Sequence, residues 1–180
     1  KTVDLIIGGP PCQAYSVAGR IRDENGMRND YRNYLFESYV GIVKHYKPKA
    51  FVFENVPGML NAKPGDKLVI ERIYDAFEKI GYEILKPTEL KNAVYSAADF
   101  QVPQSRNRVI IFGVYKKSKH KLKDFYSSLD DRKSSELQKT VFDAIGDLPK
   151  FKPLKKSYKK GNKNISHELI GNIEIPYHEA

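Results

Sequence analysis

Short apolar runs and longer amphipathic stretches follow one another along the chain, and the change of period marks its elements. Val3, Leu5, Ile6 and Ile7 form a nearly continuous apolar run bounded by Gly8-Gly9, the pattern of a strand buried on both faces of a mostly parallel sheet. From Asn33 onward Leu35, Phe36, Tyr39, Val40, Ile42, Val43 and Tyr46 recur at helical spacing until Pro48 stops the run, which predicts a helix of about three to four turns. Ala50 to Phe53 is a second apolar run of strand type and leads into Glu54-Asn55-Val56-Pro57-Gly58. A strand, a helix and a strand of these lengths make a βαβ crossover, so the two strands should be parallel and leave the sheet at the same edge.

Further along, Asp66 is placed to cap a second helix whose apolar face is Val69, Ile70, Ile73, Phe77 and Ile80 and which Gly81 closes. Tyr82 to Lys91 alternates weakly and reads as a third strand. Asn92 to Gln104 is too interrupted by proline and acid for a regular element, and Val109 to Val114 is a fourth strand. Lys116 to Lys139 is charged, with a short amphipathic helix around Phe125 and Leu129. Thr140 to Pro149 reads as a capped helical turn, and Pro153 to Lys163 as a linker or disordered run. The pattern predicts an α/β core of about four strands over residues 1–115, followed by a basic, partly irregular extension over residues 116–180.

Composition narrows this picture. A chain of 180 residues is about one domain. No apolar run approaches the ~20 residues of a membrane span and no signal peptide opens the chain, so a cytoplasmic protein with no membrane partner is expected. A single cysteine rules out an intrachain disulfide framework. The net charge is +9, and the segment Lys116 to Lys163, with fifteen basic and six acidic residues, carries an excess of that same size. Such asymmetry suits a polyanion partner, although lysine-rich tracts are also common as solvated tails.

The candidate chemistry collects at the ends of the strands. Gly8-Gly9-Pro10-Pro11 permits neither helix nor ladder pairing, so Cys12, the only cysteine, is held in a rigid loop at the carboxyl end of a strand, where open α/β sheets place ligands. Its neighbours are turn and polar residues, unlike the apolar flanks of a buried cysteine. Glu54 stands at the mouth of the second strand, where a carboxylate is costly unless something binds it. Arg106 and Arg108, two apart on an extended segment, point the same way and suit two clamps on one anionic or carbonyl-bearing group. Val17 to Tyr31, with Arg20, Arg22 and Arg28, shows no period and reads as a mobile loop, a lid over substrate or plain disorder. No metal-ligand cluster stands out.

Three strings carry a family resemblance. GGPPCQAYSVAGR resembles the nucleophile loop of the cytosine-C5 DNA methyltransferases, FVFENVPGML their Glu-Asn-Val segment, and Gln104-Ser105-Arg106-Asn107-Arg108 their Gln-x-Arg-x-Arg signature, in the family's order. TVFDAIGDLP resembles a segment that many members carry after the arginines, whereas Gln101 stands where the family usually has glycine. The resemblance implies a Rossmann-like, S-adenosylmethionine-dependent methyltransferase sheet, its second half only, mixed with one antiparallel strand. It implies a catalytic set of Cys12 as nucleophile, Glu54 as acid at the cytosine N3, and Arg106 and Arg108 holding O2, the ribose or phosphate, and the glutamate. Pro11 and Leu35 would contribute to the site of the donor, S-adenosylmethionine. Gln13, Ser16 and Asn55 would support the loop or touch the target strand, with Arg20 and Gln104 also on nucleic acid.

The implied partner is double-stranded DNA, with the target base flipped out of the stack, in a bacterial restriction-modification setting near the nucleoid. The family's glycine-rich donor strand and last donor motif are not among these residues. The chain is therefore expected to be the catalytic middle of the enzyme, inactive alone, whether an excised piece or a split subunit complemented by an N-terminal half. Two alternatives share the same residues: a tRNA cytosine-5 methyltransferase, and a non-catalytic subunit.

Overall fold

The computed structural model describes residues 2–11, 35–63, 66–148, 150–160 and 163–170, with side chains as far as residue 148. Strand β1 (Leu5–Gly8), helix α1 (Leu35–Tyr46) and strand β2 (Ala50–Asn55) make the expected parallel unit, with Leu5 opposite Ala50 and Gly8 opposite Phe53. Helix α2 (Val69–Lys79) leads through Gly81, at φ +86°, to the short strand β3 (Tyr82–Glu83). Strand β4 (Val94–Ser96) and the long strand β5 (Asn107–Tyr115) complete a five-stranded sheet of order β1-β2-β5-β3, with β4 also on β5. β5 runs antiparallel to β2, β3 and β4, and is thus the one reversed strand of the sheet. Helices α3 (Leu122–Asp130) and α4 (Val141–Ile145) follow, and a separate hairpin pairs β6 (Lys150–Lys160) with β7 (Lys163–Ile170). No helix among the described residues is long and apolar enough to cross a membrane.

One face of the sheet carries the main core. Alternation along β2 and β5 sends Phe51, Phe53, Val109 and Ile111 to the side covered by α1 and α2, which bury Phe36, Tyr39, Val40 and Val43, and Val69, Ile70, Ile73 and Phe77. Phe51 stacks on Phe77 at 4.1 Å between centroids, and Tyr39 meets Phe53 edge-on at 5.2 Å. The Tyr39 hydroxyl donates to the Val52 carbonyl at 2.8 Å, which anchors α1 to the sheet. Gly113 faces Phe51, and a Cβ there would lie 2.2 Å from the ring. On the opposite face α3 covers Ala50, Phe112 and Val114, with Phe125 stacked on Phe112 at 4.0 Å.

Several expectations from the sequence are corrected. β1 is not buried on both faces. Among the described residues it lies at one edge of the sheet, and α3 lies over β2 and β5 but not over β1, so Leu5 and Ile7, on that face, are 47 % and 71 % exposed. Asp66 does not cap α2; the N-cap is Leu68, whose N–H donates to Glu71 at 3.1 Å. The strand expected over Tyr82 to Lys91 stops at Glu83. Pro87 has no N–H for a ladder, and the backbone turns, with the Lys86 N–H donating to the Glu89 carboxylate and Leu90 entering a 3-10 turn. Asn92 to Gln104, expected to be irregular, contains β4 and a second 3-10 turn (Ala97–Phe100). Pro153 to Lys160 is strand, not linker, and Lys163 begins the next strand. The alternation of the first is hidden because the register shifts between Pro153 and Tyr158, and proline tolerates a strand best at such an irregularity.

Two measurements follow from this packing. Gly113→Ala forces a methyl group into Phe51, itself held by Phe77 at 4.1 Å. It is expected to cost about 1–3 kcal/mol of stability, read as a lower urea midpoint with an unchanged slope; an unchanged midpoint would mean that Phe51 can move aside. Burial raises the hydroxyls of Tyr82 and Tyr126 to about 12 and that of Tyr39 still higher. Their folded values exceed the unfolded value near 10, so their contribution is complete below pH 10 and is lost as pH rises toward 12. The tyrosinate absorbance of these rings should therefore appear together with the loss of ellipticity, not before it.

Candidate active site

The reversed strand brings the predicted residues to one place. β1 and β2 end at the same edge of the sheet because they are parallel. The antiparallel β5 begins at that edge, with Asn55 opposite Val109 and Glu54 opposite Ile110. Arg108 thus stands one residue beyond the end of β2. Its Nε donates to Glu54 Oε1 at 2.7 Å, and Arg106 reaches the same oxygen at 3.7 Å. Both arginines project to one side, as their spacing predicts. The Glu54 side chain is 36 % exposed, so the carboxylate is open to a ligand on one side while held by guanidinium on the other.

The loop after β1 closes on the same carboxylate. A Cβ built on Gly9 would lie 2.8 Å from Glu54 Oε2, so the backbone passes close against the acid and a side chain there would push the carboxylate aside. Asn55 is 2 % exposed and works beneath this loop. Its Nδ2 donates to the Pro10 carbonyl at 3.2 Å and its Oδ1 accepts from the Val56 N–H at 2.9 Å. Asn55 therefore fastens the Gly9-Pro10-Pro11 segment to the end of β2. Pro11 is exposed at the end of that segment, and Leu35 is half-buried at the first turn of α1. Cys12, Gln13, Ser16 and Arg20 lie outside the described residues.

The arginines are set by a compact turn. Ala97 N–H donates to the Arg106 carbonyl at 2.9 Å, and Ser96 pairs with Asn107 in the β4–β5 ladder. Arg106 and Arg108 border a cavity of about 280 Å³ with Tyr95, Phe100, Ile110 and Leu129, so their stems run along apolar surface while the charged ends reach Glu54. Arg108 also donates from one terminal nitrogen to the Asn107 carbonyl at 2.7 Å. Gln104 is exposed, and its backbone carbonyl accepts from Arg106 N–H at 2.9 Å. A larger cavity of about 850 Å³, between Glu83–Glu89 and α3, shares Tyr95 with the smaller one but is lined by neither arginine nor Glu54.

Two positions contribute more than their residue types suggest. Gly9 was legible only as a strand terminator, and its contact with Glu54 is a tertiary fact. Gln101 adopts the left-handed conformation, φ 62° and ψ 20°, which explains why glycine suits this turn. The strain is offset by its amide, which donates to Ser134 Oγ at 2.8 Å and the Leu137 carbonyl at 3.3 Å.

Comparison with known proteins agrees with this arrangement. Residues 1–177 match the family model of C-5 cytosine-specific DNA methylases. The Type II methyltransferase M.Bpa9945I of Bacillus paralicheniformis is 50 % identical over 155 residues, which cover 84 % of this chain and 34 % of the relative. M1.HphI of Haemophilus parahaemolyticus, also a Type II methyltransferase, is 38 % identical over 151 residues, covering 84 % and 36 %. Among solved structures, an E. coli prophage protein assigned as a DNA modification methyltransferase superposes with a TM-score of 0.57 at 26 % identity, over 89 % of this chain and 43 % of its own. The chain spans about a third of the length of these two curated relatives. With the reversed fifth strand and its arginine pair on Glu54, these matches show that the chain belongs to the C-5 cytosine-specific DNA methylase family.

Proposed function

We propose that this chain is the catalytic portion of a DNA cytosine-5 methyltransferase acting on a cytosine flipped out of duplex DNA through a covalent adduct with Cys12. The observation that carries the reading is the shared edge: Glu54, Arg106 and Arg108 converge there, and the segment that leads directly into Cys12 is tied to it by Asn55. Carbon 5 of cytosine is a poor nucleophile. A thiolate adding to carbon 6 forms an S–C6 bond and moves the ring electrons toward N3, O2 and carbon 5, which splits one hard step into easier ones. Glu54, with one side open, stands where an acid can hydrogen-bond N3 as that charge develops. Arg108 orients the carboxyl group, and Arg106, 48 % exposed, is free to turn a donor toward O2 or a phosphate. After methylation, loss of the carbon 5 proton and departure of the thiolate restore the aromatic ring.

S-adenosylmethionine, when bound, supplies the electrophilic methyl group. Pro11 and Leu35 are apolar surfaces that the topology brings to this edge, and they fit a wall beside the donor. Neither offers a polar atom for its charged end. Gln13, Ser16, Arg20 and Gln104 complete the reading as contacts to the loop or the target strand, with double-stranded DNA as substrate and a bacterial restriction-modification system as setting.

In the enzyme that carries this chain, tritiated-methyl transfer to duplex DNA tests the assignment. Cys12→Ser should lose nearly all transfer while retaining DNA binding, because serine is a poor nucleophile near neutral pH. Glu54→Gln should fall by about 10²–10⁴, and Arg108→Lys by about 10²–10³ because lysine cannot reproduce the fixed guanidinium geometry. Transfer by Cys12→Ser within tenfold of wild type would overturn the reading.

A further inference from the structure

We infer that Gln101 is a positioning residue for Arg106: its amide clasps the segment after α3 onto the turn that carries this arginine. The inference rests on the function proposed above, because it concerns an arginine of that site. Gln101 sits in the left-handed region, φ 62° and ψ 20°, where a side chain crowds the backbone and glycine does not. Its amide is held at a further cost, since Oε1 is buried without a partner among the described residues. Two unfavourable features meet in one side chain, and such strain points to a role.

The role visible in the structure is a polar clasp between two segments. Gln101 Nε2 donates to Ser134 Oγ at 2.8 Å and to the Leu137 carbonyl at 3.3 Å. Turning the amide over would set Oε1 against the Leu137 carbonyl oxygen, so its orientation is fixed. Asp99 strengthens the same junction: its carbonyl accepts from the Ser134 N–H at 2.8 Å and its Oδ1 from Gln138 Nε2 at 3.1 Å.

The clasped turn leads directly to Arg106. Residues 97–106 form a loop closed at its neck, where the Ala97 N–H donates to the Arg106 carbonyl at 2.9 Å. Gln101 stands where the chain reverses, with its own N–H donating to the Ala98 carbonyl at 3.1 Å and the Val102 N–H to the Ala97 carbonyl at 3.2 Å. Arg106 ends the return limb, one residue before β5 begins. Arg108, in contrast, lies within the ladder opposite Tyr95 and donates to the Asn107 carbonyl as well as to Glu54. Arg106 approaches Glu54 only to 3.7 Å, beyond hydrogen-bond range. The turn therefore decides where its guanidinium stands, whereas the sheet decides it for Arg108.

The test is a set of mutant cycles in the enzyme that carries this chain, read as kcat/KM for methyl transfer to duplex DNA with thermal midpoints alongside. Gln101→Gly removes the clasp and keeps a backbone conformation that glycine adopts freely. It should lower kcat/KM about tenfold, within what a misplacement of about 1 Å can cause. Ser134→Ala removes an acceptor of the same clasp, so it should also lower kcat/KM, and Q101G/S134A should lose no more than the worse single variant, as expected for partners in one interaction. In an Arg106→Ala background Gln101→Gly should change kcat/KM by less than about twofold, while in an Arg108→Lys background it should keep its about tenfold effect. A loss that persists undiminished in Arg106→Ala would overturn the inference, because general destabilisation, with or without a lowered midpoint, would act equally in both backgrounds. So would a Gln101→Gly enzyme within twofold of wild type. A wild type without Cys12-dependent transfer would overturn the function proposed above and this inference with it; additive cycles in an active wild type would overturn this inference alone.

Discussion

The pairing of β5 against β2 is the constraint on which the rest depends. Six consecutive residues of β2 are matched antiparallel to β5, from Ala50 with Val114 to Asn55 with Val109. Because β5 is reversed, its first residues arrive where β1 and β2 end. Had it been parallel, Arg108 would have begun at the far end of the strand, about 20 Å away at ~3.3 Å per residue. A single reversed strand therefore converts two distant signatures, Glu54-Asn55 and Arg106-x-Arg108, into neighbours at 2.7 and 3.7 Å.

Stability and function are carried by different parts of the same sheet. The fold is held by the aromatic core under α1 and α2, where Phe51, Phe53 and Phe77 are fully buried, and each such side chain is worth on the order of 1.5–3 kcal/mol. Glu54 and its arginines are partly exposed, a setting in which ion pairs add little to stability. The two arginines hold the Glu54 carboxyl group in one orientation beside an open space. Asn55 lies between the two: buried with the core, it spends its amide on the loop that precedes Cys12.

Most of this was legible because it rests on local rules. The period of 3.6 gave α1 and α2, the apolar runs gave β1, β2 and β5, and the crossover rule made β1 and β2 parallel. The convergence of the arginines on Glu54 was expected from i, i+2 spacing together with the family resemblance. What was missed depends on tertiary context. Nothing in LIIG says that one face of β1 lacks a helix above it, and strand β4 is only three residues long. The hairpin's alternation is broken by its own register shift. Gln101 shows the limit from the other side: a departure from the family's glycine was visible, but the contacts with Ser134 and Leu137 that make a left-handed glutamine tolerable are not. The proposed nucleophile, Cys12, lies outside the described residues, and its assignment rests on its string and on the anchored backbone that leads to it.

The most direct test of the account is to identify the atom that bonds to DNA. A duplex with 5-fluorocytosine at the target cannot lose fluorine after methylation, so the enzyme that carries this chain should remain covalently attached; digestion and mass spectrometry of the complex then locate the nucleotide. The account predicts a single modified peptide with the nucleotide on Cys12. Attachment at any other residue, or a denaturation-resistant complex of equal yield from Cys12→Ser, would contradict it.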